Sequence, residues 1–229
     1  MSVELLLALG KSFLFVLAAM LPILNPAATA PIFLSLTEGA SVQTRRVLAL
    51  RIARNMFWLL SSSMLVGSYV LDFFGISLAI VRVGGGLIVA AMAWRLLSAT
   101  PANFDSRTVL AESFTAEHAR RQAFYPLTFP ISCGPGSISV AITVGVALHD
   151  SHMLLSSARM GGALLALLLI GVLMLLAFRY APRLLSLLGE AGGVVLLRMS
   201  AFILLCLGVQ IVWDGASELL LDLLRSAHP

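Results

Sequence analysis

Four nearly unbroken apolar blocks, at roughly 52-74, 76-98, 152-177 and 192-213, are each long enough to carry a helix through the ~30 Å hydrocarbon core of a bilayer. Two more, 5-37 and 123-148, are long enough but have prolines and glycines in their interiors. Together they predict an all-α polytopic membrane protein of six transmembrane helices, the first and fourth interrupted. The polar positions orient it. Arg45, Arg46, Arg51 and Arg54 cluster in the link 38-54, Arg95, Arg107, Arg120 and Arg121 in 95-124, and Arg179 and Arg183 in 178-190. These are the first, third and fifth connections; the second carries Asp72 and the fourth the HDSH of 149-152. Short basic links stay in the cytoplasm, so both termini are expected outside. The hydrophilic stretch 99-121 reads as a cytoplasmic linker between two halves.

The halves echo each other. PILNPAAT at 22-29 answers PISCGPGS at 130-137 with one residue inserted, and IVRVGGGLIV at 80-89 answers LLRMSAFILL at 196-205. Three spans per half is an odd number, so the second half would enter the membrane in the opposite sense, the inverted-topology arrangement of many secondary transporters. The expected organisation is a first three-helix repeat at 1-98, the linker 99-121 and a second three-helix repeat at 122-229. Gly134-Pro135-Gly136 lies near the middle of its block, which puts that break near the midplane, and Asn25-Pro26 with it by equivalence. Lys11 then falls about 21 Å above Asn25, among headgroups its ammonium can reach. The first ten residues are expected at the outer interface.

A proline within a helix deletes a donor and frees a carbonyl, and Pro26 with Pro31 predicts an unwound segment. Non-helical backbone at membrane depth survives only against protein or a wet cavity. Beyond each break a new half-helix starts, with free N-H groups and partial positive charge at its first turn. Asn25 before Pro26, or Thr29 before Pro31, would cap the first; Gly134, Pro135, Gly136 and Ser137 hold the comparable places in the second. Prolines can also merely kink packed helices. A matched pair of breaks flanked by small polar residues favours a binding site instead. Arg82 and Arg198 lie at matching depths, where an unpaired charge costs at least about 2.5 kcal/mol. They either bind a substrate carboxylate or serve structure, by snorkelling, by bracing the broken helices or by pairing with Asp72 or Glu190. Gly84-Gly85-Gly86 and Gly161-Gly162 predict close helix packing. Gln210 and Asp214 at the outer end of the last span read as a solvated helix end, with Asp214 as the alternative proton carrier.

Composition fits a membrane protein: of 229 residues 59% are hydrophobic and 11% charged, with a mean hydropathy of +0.99. Glu4 ahead of the first block, with no basic leader, argues against a cleaved signal peptide. The net charge of +4 is explained by the link arginines and implies no nucleic-acid partner. Cys133 and Cys206 lack CxxC spacing and read as buried free thiols; the four histidines lack metal-ligand spacing. No cofactor or metal is expected. No paired Asp, Ser-His or HExxH set marks an intramembrane enzyme.

NPxxxxPxFLSLT at 25-37, FGISxxxxR at 74-82 with GGLIV at 85-89, PLxxPxxxGPGSI at 126-138 and RMxxFxLxCxGVQ at 198-210 together resemble the MarC family of bacterial inner-membrane proteins, a group also classed with neutral amino-acid transporters. The resemblance covers nearly the whole chain. It departs at 214-215, Asp-Gly where Asn-Gly is expected, so no role carries over to Asp214. What it implies is a six-span inner-membrane protein that moves small neutral amino acids such as alanine, glycine or serine; with the arginine-rich links inside, its termini would be periplasmic. The substrate site would comprise Asn25, Pro26, Thr29, Arg82, Gly134, Pro135, Gly136, Ser137 and Arg198, and the partners are substrate, bilayer and a coupling ion, proton or sodium. The alternatives are efflux of drugs or other small metabolites, which an 8% aromatic content disfavours, and a non-transporting accessory protein.

Overall fold

A computed structural model describes residues 2-37, 39-98, 123-149 and 152-227, and every regular element among them is a helix. The linker 99-121 lies outside the described residues. The helices are α1 (Ser2–Leu24), α2 (Pro26–Leu36), α3 (Val42–Phe73), α4 (Leu78–Leu97), α5 (Ala123–Ser132) and α6 (Pro135–Leu148). They are followed by α7 (Met153–Arg183) and α8 (Gly192–Arg225), which run together through Gly189 at φ +64°. Five of these, α1, α3, α4, α7 and α8, are long and apolar enough to cross a membrane, and α5 with α6, bent by 71°, makes a sixth when taken as one span.

Three expectations need correction. Residues 2-10 are not a separate interfacial segment; they continue α1 without a break. Helix α3 starts ten residues before the predicted block, so Arg45, Arg46, Arg51 and Arg54 sit on its first turns instead of in a loop. The reason is local: Ser41 is an extended N-cap whose hydroxyl accepts the Thr44 N-H at 3.1 Å, and Arg45 Nε donates to the Thr37 carbonyl at 3.2 Å. Third, the first break is one residue, Asn25, because α2 continues through Pro31.

Packing follows from small residues, as it must where lipid offers no hydrophobic drive for helix association. A Cβ at Gly145 would overlap the Met64 carbonyl and one at Gly67 would overlap Ile142, which fixes α3 against α6. Gly162 presses on the Leu9 backbone and seats α7 on α1. Gly86, Gly208 and Gly215 do the same for α4 and α8, where a Cβ at Gly215 would stand 2.7 Å from the Ala79 carbonyl. Of the two predicted glycine patches, Gly85, Gly86 and Gly162 are close approaches, while Gly84 and Gly161 face open space. Phe33 and Phe178 stack at 4.5 Å and tie α2 to α7. The buried core runs through α1, α2, α3, α5, α6 and α7, with α4 and α8 paired beside it.

Candidate functional site

Asn25 ends one helix and begins another. Its φ of +42° is left-handed, a conformation Asn enters more readily than most residues, and its N-H still donates to the Leu21 carbonyl at 2.9 Å, closing α1. Pro26 then occupies the first position of α2, where no donor is required. The Asn25 carbonyl accepts the Thr29 N-H at 3.0 Å and the Thr29 hydroxyl at 3.0 Å. Of the two helix starts foreseen for this break, the one after Asn25 is the one observed, with the Asn25 carbonyl taking both Thr29 bonds.

The second break is built differently and ends alike. Tyr125 and Phe129, each followed by proline, are pushed to extended backbone angles inside α5. The turn closes with wide π-type bonds, Cys133 N-H to the Thr128 carbonyl at 2.8 Å, and with Ser132 Oγ donating to the Leu127 carbonyl at 2.7 Å. Gly134 is extended, Pro135 takes the first turn of α6, and Ser137 Oγ donates to the Gly134 carbonyl at 2.7 Å. In both breaks, then, a proline opens the short helix and a hydroxyl in its first turn donates its proton to the capping carbonyl.

Both breaks open on one cavity of about 290 Å³. Asn25 and Thr29 line it from the first break, Gly134, Gly136 and Ser137 from the second, and Ala201 and Leu204 from α8. Helix α4 contributes the stripe Val89, Met92 and Leu96, with Arg95 in its last turn. Gly136 allows this proximity: a Cβ there would overlap Val89 Cγ2 and stand 3.2 Å from the Gly85 carbonyl. The cavity reaches from the breaks to Leu36 and Leu96, at the C-terminal ends of α2 and α4. Arg95 is the one charged residue among the described lining residues, and no acid accompanies it.

Three hydroxyls in this wall, Thr29, Ser132 and Ser137, give their protons to backbone carbonyls. They offer the cavity lone pairs, suited to an ammonium group. The first N-H groups of α2 and α6, with Arg95, offer the opposite polarity.

The other expected site residues lie elsewhere. Pro26 and Pro135 open the half-helices without lining the cavity. Arg82 is ion-paired to Glu218 of α8 and not to Asp72. Arg198 is exposed on α8, away from the cavity wall. Cys133 is buried at the second break, but Cys206 is exposed, against expectation. Ser132 and Arg95 were missed; Arg95 could have been found from the Val89, Met92, Leu96 stripe that it extends.

A second cavity, about 500 Å³, lies at the other end of the bundle, between Glu4, Lys11 and Phe15 of α1, Leu148 of α6 and Arg159 of α7. Packed side chains separate the two. On α1, Val16 and Met20 lie between the linings and are fully buried; on α6, Ala141 and Val144 do the same.

A family model described as MarC family integral membrane protein matches residues 10-220. The chain belongs to the MarC family. A curated relative from Escherichia coli O1:K1 / APEC, named UPF0056 inner membrane protein MarC, is 30% identical over 217 residues, covering 94% of this chain and 98% of its own length. Proteins of the same name from E. coli O139:H28 and from E. coli K12 are 29% identical over the same extent. No solved structure matches. The MarC-family chain is thus a multi-pass membrane protein, and the relatives' printed name supports the inner membrane as its location.

Proposed function

We propose that this MarC-family chain is a secondary transporter of small neutral amino acids, such as alanine, glycine and serine, working by alternating access. The observation that carries the reading is the cavity shared by the two broken helices, with donors and a cation for a carboxylate and three proton-spent hydroxyls for an ammonium. Its volume, about 290 Å³, is at the small end of ligand pockets, which favours a compact zwitterion over a drug-sized molecule. The apolar remainder, with Ile32, Val89 and Leu204, suits a short uncharged side chain.

The reading takes the two halves as inverted repeats. In its support, α3 packs on the broken span of the second half while α7 packs on that of the first, an exchange expected of a two-fold relation. Helix α2, at 11 residues, is about 16 Å long, roughly half a hydrocarbon core, which suits a break near the midplane. With both termini periplasmic, the cavity at the breaks opens to the cytoplasm and the Lys11 cavity is the closed-off outer vestibule. The layer of Val16, Met20, Ala141 and Val144 is then the gate that must part. The transported amino acid moves with a proton or a sodium ion.

Proteoliposomes test this. Purified protein should exchange labelled alanine, glycine or serine, driven by one of the two ion gradients, and Asn25→Ala with Pro135→Ala should abolish it. Absence of exchange for all three under either gradient would overturn the substrate assignment, and wild-type rates in the double variant would overturn the site.

A further inference from the structure

We infer that Arg95 is the residue that selects for a carboxylate at the cytoplasmic mouth of the cavity, so that the site admits amino acids and simple carboxylates and rejects their amides and amines. The inference rests on the cavity of the proposed transporter and adds a residue and a selectivity to it. Arg95 stands in the last turn of α4, one residue from Leu96 and six from Val89, which itself abuts Gly136 at the second break. Six residues of helix rise about 9 Å, so Arg95 stands about that far along α4 from the contact at Gly136, on the side of the mouth. Among the described residues it has no ion-pair partner, whereas Arg82, the cation of the same helix at its opposite end, is held by Glu218. A guanidinium with no acid beside it among the described residues of a mostly apolar vestibule raises the local concentration of anions and offers a bidentate grip on a carboxylate. Lysine would supply the charge without the fork.

The experiment is ligand binding to purified full-length protein by thermal shift and titration calorimetry, with alanine, alaninamide, ethylamine and propionate as probes. In the wild type, alanine and propionate should bind and the two probes without a carboxylate should not. Arg95→Gln should weaken both carboxylates by about tenfold or more, as for loss of a charge-assisted contact, and Arg95→Lys by less. Arg179→Gln, which removes a cation from the end of α7 without touching the cavity, should bind as the wild type and controls for net charge. Equal alanine binding by wild type and Arg95→Gln overturns the role of Arg95 while leaving the transporter reading intact. Binding of propionate but not alanine, lost in Arg95→Gln, keeps Arg95 and overturns the amino-acid reading. Binding of alaninamide as tight as alanine, or no binding by either carboxylate, overturns the inference.

Discussion

Gly136→Ala places one methyl group where α6 meets α4. The added Cβ would overlap Val89 Cγ2 and sit 3.2 Å from the Gly85 carbonyl, tighter than ordinary van der Waals contact. Val89 is 4% exposed, and Gly85 is fixed in turn by Ser139, whose hydroxyl donates to the Val81 carbonyl at 2.9 Å. Overpacking of this kind costs about 1–3 kcal/mol. For a chain of this size that corresponds to a lowering of Tm by roughly 2–4 °C per kcal/mol. The cost should be relieved by removing the opposing methyl groups. A double-mutant cycle of Gly136→Ala and Val89→Ala, read by thermal unfolding in detergent, should therefore show the glycine substitution destabilising in the native background and nearly neutral in the Val89→Ala background. The pair must couple by most of the single-variant cost. A Gly136→Ala protein as stable as wild type, or a glycine substitution equally damaging in the Val89→Ala background, would refute the close approach of α4 to α6, and with it the placing of Val89 in the cavity wall.

Other substitutions probe the remaining parts. Asn25→Gly should preserve stability, while Asn25→Val should cost about 1–3 kcal/mol, because a β-branched residue is strained at φ +42°; equal thermal unfolding of the two variants would contradict the left-handed cap. Arg82→Gln and Glu218→Gln should each destabilise by about 1 kcal/mol, below the cost at a buried pair because the side chains are 25% and 44% exposed, and the double variant should lose less than the sum. Asp214→Asn keeps an oxygen for the Gln210 amide, now 2.8 Å from Asp214 Oδ1, so transport and its pH profile should be unchanged; a shifted profile would make Asp214 a proton carrier.

Much of this architecture was legible because each signal is local. Proline at positions 26 and 135 deletes a donor wherever the chain folds, so the breaks could be located from sequence, and Asn25 and Gly134 were natural capping residues on either side. The apolar blocks likewise marked α3, α4, α7 and α8. Boundaries were less legible: Ser41 begins α3 within a polar, arginine-rich stretch, where composition suggests a loop. Long-range pairings were not legible at all. Arg82 and Glu218 are 136 residues apart, and only the packing of α4 on α8 through Gly86, Gly208 and Gly215 brings them together. Arg95 was read as a link residue because topology explains any arginine near a cytoplasmic helix end; its place in a cavity wall depends on which face α4 turns toward α2. The exposure of Cys206 is illegible for the same reason, since an apolar stretch does not say which side meets lipid.

The central claim is that the two broken helices form one site that takes a small neutral amino acid. Its most direct test is alkylation of a single cysteine at position 137, in a Cys133→Ala, Cys206→Ala background, by a small maleimide added to inside-out vesicles, with and without alanine. Ser137 lines the cavity at the second break, which Thr29 lines from the first, so the account predicts that the thiol is reached from the cytoplasmic side and that alanine slows the reaction in a saturable way. A thiol that reacts at the same rate with and without saturating alanine, glycine or serine would contradict it.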